Sequence, residues 1–201
     1  MTTFLSDRAI YERVIRDAVP RAARRVWIAT ADIKDLYVEP VAGAAEMVPF
    51  VQVLARLLGR GVEVRLVHAK EPGPNFRADF DRFPILRSGL ERVLCPRVHF
   101  KCILIDGRLA YFGSANLTGA GMGAKSDRRR NFENGVWTDD PALVRAQEEQ
   151  FDAVWRGDHC RGPLFPIRPY KGCPFRSAVR YNRPYLGLPH TCPMRKLLQR
   201  F

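Results

Sequence analysis

The stretch from His99 to Asn116 holds the side chains best suited to phosphate chemistry: His99-Phe100-Lys101, then Asp106-Gly107, then Gly113-Ser114-Ala115-Asn116. On a strand, alternate side chains share a face. His99 and Lys101 therefore project together, while Phe100 and Cys102 point the other way. An imidazole supplies a nucleophile or proton carrier near neutral pH. A lysine ammonium stabilises phosphoryl oxygens as a point charge. The strand turns at Asp106-Gly107, and the return strand ends at Gly113, where a glycine permits close backbone approach. Ser114 and Asn116 then add neutral donors on one face.

Together these residues resemble the H-x-K-x4-D-x6-G-S-x-N signature of the phospholipase D superfamily, the HKD phosphodiesterases, and every defined position matches. The resemblance implies that His99 is the nucleophile and forms a phosphohistidine intermediate. It implies that Lys101 and Asn116 bind the phosphate, that Ser114 assists, and that the catalytic step needs no metal. Asp106 belongs to the same catalytic set, although an aspartate at a turn also suits a role in holding the backbone. Family members carry an acidic residue after the motif to orient the histidine, and here the candidate is Glu133. A complete site of this family takes two motifs, one histidine attacking and the other protonating the leaving oxygen. The chain has one: His68 is followed by Ala69-Lys70, and His159 and His190 lie in the C-terminal segment. The expected solution is a homodimer with the site on its two-fold axis.

The elements that must position these residues alternate in helical and strand patterns, which reads as an α/β domain. Asp7–Ala18 is expected to be helical, with Ile10, Val14 and Ala18 on one face. Arg25–Thr30 reads as a buried strand, Gly43–Leu58 as a helix, Val62–His68 as a strand and Glu71–Asn75 as a loop. Asp79–Leu90 reads as helical with a break near Pro84. Val98–Ile105, Leu109–Gly113 and Phe132–Thr138 are the remaining expected strands, with a basic loop over Gly119–Arg130. Asp140-Pro141 starts a last helix that runs to about Trp155, proline suiting its first turn. The resemblance implies a phospholipase D-like half-domain over residues 1–155, a mixed β-sheet flanked by helices, followed by an irregular basic tail over 156–201.

The 201 residues carry a net charge of +12, and the charge is unevenly placed. Met1–Trp155 holds 23 basic and 20 acidic residues, whereas Arg156–Phe201 holds 10 basic residues against Asp158 alone. Such a tail favours phosphate polymers or anionic surfaces. It interleaves Phe165, Tyr170, Phe175, Tyr181 and Tyr185 with Arg168, Arg176, Arg180 and Arg183, a mixture suited to single-stranded nucleic acid. No apolar run is long enough for a transmembrane helix, and Met1–Ile10 lacks a signal-peptide core, so a cytoplasmic protein without stable membrane association is expected.

Cys102 reads as core. Cys95, Cys173 and Cys192 each precede a proline, and Cys160 follows His159. Four thiolates would satisfy a [4Fe–4S] cluster or, alternatively, tetrahedral zinc, in which His159 or His190 could replace one of them; free or core thiols or a disulfide are the remaining alternatives. The tail looks similar to that of a bacterial subset of HKD proteins with clustered cysteines, although its spacings are long and no C-x2-C pair exists. Three functions follow: a metal-independent nuclease acting on DNA or RNA, a phospholipase-type hydrolase, or a nucleic-acid-binding or redox-sensing subunit that keeps the fold.

Overall fold

The computed structural model describes residues 1–39 and 46–158. Seven strands form one mixed sheet in the order β1-β9-β8-β7-β2-β5-β6. They are β1 (Thr2–Ser6), β2 (Arg25–Thr30), β5 (Glu63–His68), β6 (Glu91–Leu94), β7 (Lys101–Ile105), β8 (Leu109–Gly113) and β9 (Asn134–Thr138). β2, β5 and β6 are parallel, and the pairs from β2 through β7, β8 and β9 to β1 are antiparallel. A small separate pair joins β3 (Tyr37–Val38) to β4 (Val48–Pro49).

Each face of the sheet buries alternate residues of the same strands. On one face Val26, Ile28, Leu66, Ile103, Ile105 and Tyr111 pack with the helices that follow β1 and β4. On the other, Trp27, Ala29, Val67, Cys102 and Leu104 pack with Val144, Phe151 and Trp155 of α5 (Pro141–Trp155). A β2 that is apolar at every position from Val26 to Ala29 is what a strand covered on both sides requires. α5 begins as read from Asp140-Pro141: the Asp140 carboxylate accepts from the Ala142 and Leu143 amides at 2.8 and 3.2 Å.

The first helix winds differently from the expected one. α1 (Arg8–Ile10) continues as a π-helical segment over Tyr11–Ala18 and a 3-10 turn over Val19–Arg21. The expected face holds, with Ile10 and Val14 fully buried and Ala18 packed against the same core, and the wider i→i+5 winding adds Tyr11, Ile15 and Val19 to it. The helix expected over Gly43–Leu58 is α2 (Phe50–Gly59), and it starts late because Pro49 stands in its way. An interior proline removes a helical hydrogen bond, and the residue before it is pushed to extended geometry. Val48 and Pro49 accordingly pair with Tyr37 and Val38. Pro74 and Pro84 instead start α3 (Pro74–Asp81) and α4 (Pro84–Gly89), so the expected loop ends before Asn75. β1 and β6 are strands that the sequence pattern did not reveal. Among the described residues, no helix is long and apolar enough to cross a membrane.

Candidate active site

The motif gathers at the edge formed by strand ends, where β7 starts and β2, β5 and β8 finish, and not at the outer strands β1 and β6. β7 starts at Lys101 rather than Val98, so His99 stands in the connection just ahead of the strand. The two-residue spacing still brings the side chains together: Lys101 Nζ lies 3.4 Å from His99 Nδ1 and 3.5 Å from Nε2. The ammonium also donates to the His99 carbonyl at 2.5 Å, which anchors it under the imidazole. His99 is exposed, whereas Lys101 is only 8% exposed. Burial pulls the Lys101 pKa below its ordinary value, and the negative charge of Glu133 opposes that shift. Phe100 and Cys102 turn to the opposite core, as the alternation predicts, and burial pushes the Cys102 thiol up to about 12.

Lys101 pairs with Gly113, and Gly113 with Gly135, in one row across β7, β8 and β9. The glycines are dictated by what lies against them. A Cβ on Gly113 would stand 2.3 Å from the Asn134 carbonyl oxygen and 2.9 Å from the Tyr111 hydroxyl. A Cβ on Gly135 would stand 2.5 Å from the Tyr111 ring. The close approach that the motif glycine permits is thus that of β9 and a fully buried tyrosine.

Ser114 follows at the end of β8. Its backbone amide donates to the Asn134 carbonyl at 2.9 Å, and its Oγ accepts from the Asn134 amide at 3.0 Å. The Ser114 hydroxyl donates to Glu133 Oε2. Asn131 Nδ2 donates to Glu133 Oε1 at 3.0 Å. Glu133 was expected to orient His99; its carboxylate is instead held by Ser114 and Asn131, with Lys101 within electrostatic reach. Asn116 Oδ1 accepts from the Asp32 amide at 3.1 Å, which leaves its NH2 group to donate elsewhere. Thr30, at the end of β2, accepts from the Leu117 amide at 3.0 Å and donates to the Asp32 carbonyl at 2.7 Å, tying the Asn116 loop to the sheet.

Asp106 does not belong to this cluster. It sits beyond the far end of β7, five strand steps or roughly 16 Å from Lys101 at about 3.3 Å per residue. There its carboxylate accepts from the amides of Ala23 (3.0 Å), Arg24 (2.7 Å) and Arg25 (2.9 Å), the start of β2. Asp106 and Gly107 have φ of 56° and 68°, the left-handed pair that a tight Asp-Gly hairpin turn takes. Burial would raise the Asp106 pKa, but the bonds from Arg25, Ala23 and Arg24 outweigh it and leave the pKa below the usual aspartate value. Its role is to lock the β7–β8 turn onto β2.

Asp7 is a positioning residue that the sequence pattern did not single out. Its amide donates to the Glu133 carbonyl at 2.9 Å, and its Oδ1 accepts from the Glu133 amide at 3.0 Å. Asp7 has φ 47°, and only its place ahead of α1 hinted at a fixed role. His68 also ends its strand at this edge, but it is buried. Its Nδ1 lies 2.7 Å from the Lys70 carbonyl, so this nitrogen carries the proton. Burial lowers its pKa to about 4.

The expected metal set is not assembled among the described residues. Cys95 is buried in the second core cluster beside Val93 and Val98. Cys160, Cys173 and Cys192, with His159 and His190, lie outside the described residues. No group of three or more His, Cys, Asp or Glu able to hold a metal ion occurs among those described.

This fold and motif coincide with a family match. The family described as "Cardiolipin synthase, PLD-like domain" matches residues 15–155, more than half of the chain. The chain belongs to this phospholipase D-like family. A curated relative, the mitochondrial cardiolipin hydrolase of Chlamydomonas reinhardtii, is 30% identical over 106 residues, 51% of this chain. The matched stretch spans 44% of that relative's length. Among solved structures, NucT from Helicobacter pylori superposes with a TM-score of 0.54 at 15% identity, covering 76% of this chain and 93% of that one. The phospholipase D family member Nuc from Salmonella typhimurium gives a TM-score of 0.53 at 18% identity, covering 77% and 95%. At these identities the two structures speak to the fold.

Proposed function

We propose that the chain is a phosphodiesterase that cleaves nucleic acid through a covalent intermediate on His99. The observation that carries this is the convergence of His99, Lys101, Ser114, Asn116 and Glu133 on one open sheet edge. A ring nitrogen of His99 attacks phosphorus. The N–P bond forms, the P–O bond to the leaving group breaks, and a second histidine delivers the proton to the departing oxygen. Water then attacks the phosphohistidine, giving up its proton to that second histidine. The N–P bond breaks and His99 is restored. Lys101 and the Asn116 NH2 group bind the non-bridging oxygens where charge gathers. Ser114 links Glu133 to the strand end that carries them. The route uses no metal ion. The second histidine is assigned to His99 of another copy: among the described residues the other histidine, His68, is buried with its Nδ1 donating to the Lys70 carbonyl.

Nucleic acid is favoured by the cations around the edge. Lys34 is paired with Asp32 at 3.4 Å, whereas Lys125, Arg128 and Arg129 are exposed in the loop that leads to Glu133. The basic C-terminal segment raises the net positive charge of the chain as a whole. The name of the cardiolipin hydrolase relative favours a second reading, a phospholipid phosphodiester. The test incubates the full chain in EDTA with labelled DNA, labelled RNA and cardiolipin vesicles. Cleavage of a nucleic acid is expected, abolished in His99→Asn with the oligomeric state unchanged. Hydrolysis of cardiolipin alone would replace the nuclease reading with the lipid one. Full activity in the purified variant would refute the site.

A further inference from the structure

Phe132 is 92% exposed, yet the backbone on both sides of it is hydrogen-bonded. On one side the Asn131 amide donates to the Ala120 carbonyl at 3.0 Å. On the other, Glu133 exchanges two bonds with Asp7. The backbone is thus pinned both before and after a ring that stands in water. The next residue is the carboxylate that bonds Ser114. Before Asn131 come Arg128-Arg129-Arg130. Arg130 pairs with Asp127 at 2.7 Å, while among the described residues no carboxylate pairs with Arg128 or Arg129. Phe4, also exposed, lies on a strand without a basic residue and faces Val136 on β9.

We propose that Phe132 is a base-stacking residue at the rim of the site, with Arg128 and Arg129 holding the flanking phosphates of a single-stranded nucleic acid. The inference rests on the nuclease reading above and names its substrate class. A pre-positioned aromatic ring beside cations is what single-strand binding uses: the ring takes a base of any identity and the arginines follow the backbone. The ring is one residue along the chain from Glu133, whose carboxylate bonds Ser114 of the site, so a base stacked on it belongs to a strand that runs past that carboxylate. A duplex, whose bases are already stacked, cannot use the ring, so the site discriminates against paired substrate.

The experiment compares the full chain with Phe132→Ala and Phe132→Trp. The substrates are a single-stranded oligodeoxynucleotide, its duplex and bis(p-nitrophenyl) phosphate, a diester too small to stack and bind the rim together. For Phe132→Ala, kcat/KM on the single strand is expected to fall about tenfold or more relative to kcat/KM on the small diester, with KM carrying the change. Phe132→Trp is expected to stay within about threefold of wild type and to show tryptophan quenching on adding the oligonucleotide. Equal losses on both substrates, or none, would overturn the assignment. A smaller sedimenting species for Phe132→Ala would assign the ring to contact with a second copy instead. Loss of binding to anionic lipid vesicles, with oligonucleotide cleavage intact, would assign it to a membrane. A wild type that hydrolyses the small diester but no nucleic acid would remove the nuclease reading itself, an outcome distinct from equal cleavage by wild type and variant.

Discussion

Asp106→Asn separates the structural reading of the motif aspartate from the catalytic one. The Asp106 carboxylate accepts three backbone amides from Ala23, Arg24 and Arg25. A carboxamide of the same shape keeps an oxygen for one or two of them but turns an NH2 group towards the rest. Hydrogen bonds to a charged group contribute about 1.5–3 kcal/mol each. The site is partly open to water, which lowers that figure, so the net loss is about 2 kcal/mol. For a domain of this size that is a fall in Tm of about 4–8 °C. The effect has a pH signature. The native carboxyl has a depressed pKa, so the unfolded chain takes up the proton first as the medium is acidified. The stabilisation is complete above the ordinary aspartate pKa of about 4 and disappears as the pH falls through the lower native value. Urea denaturation followed by tryptophan fluorescence should therefore show a gap between wild type and variant at neutral pH that closes in acid. Turnover per folded molecule should stay within about threefold, because Asp106 lies roughly 16 Å from Lys101. A variant as stable as wild type but catalytically dead would refute the argument.

Three further substitutions probe the rest of the edge. Gly113→Ala drives a methyl group to 2.3 Å from the Asn134 oxygen. It is expected to cost about 3 kcal/mol, read from denaturant midpoints, and a loss under about 0.5 kcal/mol would contradict the packing described. Lys101→Met keeps the length of the chain and removes the charge beside His99. A fall in kcat of about 100-fold or more with a native circular dichroism spectrum is expected, and an unchanged kcat would remove Lys101 from the phosphate site. Cys95→Ala deletes one buried heavy atom and should cost about 1 kcal/mol while leaving iron and zinc per chain unaltered. Loss of metal in that variant would place Cys95 among the ligands of the iron–sulfur or zinc clip expected of Cys160, Cys173 and Cys192.

The parts of the fold that were legible are those where a local rule and burial agree. β2 reads as a strand because it is apolar on both faces, and the β7–β8 hairpin because Asp106-Gly107 sets its turn. α5 reads as a helix because Asp140 and Pro141 open it. β1 and β6 are short and sit at the two edges of the sheet, so only half their pattern is apolar. The π-helical winding around Ile15 is set by packing, which a 3.6-residue period cannot anticipate. At the site, motif spacing placed His99, Lys101, Ser114 and Asn116 together. The turn read at Asp106-Gly107 already set that aspartate at the far end of the hairpin with a backbone-holding role; what the pattern did not reveal is that the backbone it holds is the start of β2, at Ala23, Arg24 and Arg25. Nor did it reveal that Asp7, far away in sequence, clamps Glu133.

The central claim is a covalent phosphohistidine on His99, and trapping it is the direct measurement. Substrate labelled at the scissile phosphate is mixed with enzyme, quenched in base within a turnover, and the peptide containing His99 is analysed by mass spectrometry. The expected adduct on His99 carries the phosphate with its remaining nucleotide arm, is stable in base, released in acid, and absent in His99→Asn. Continued turnover with no adduct on His99, or an adduct on another residue, would contradict it.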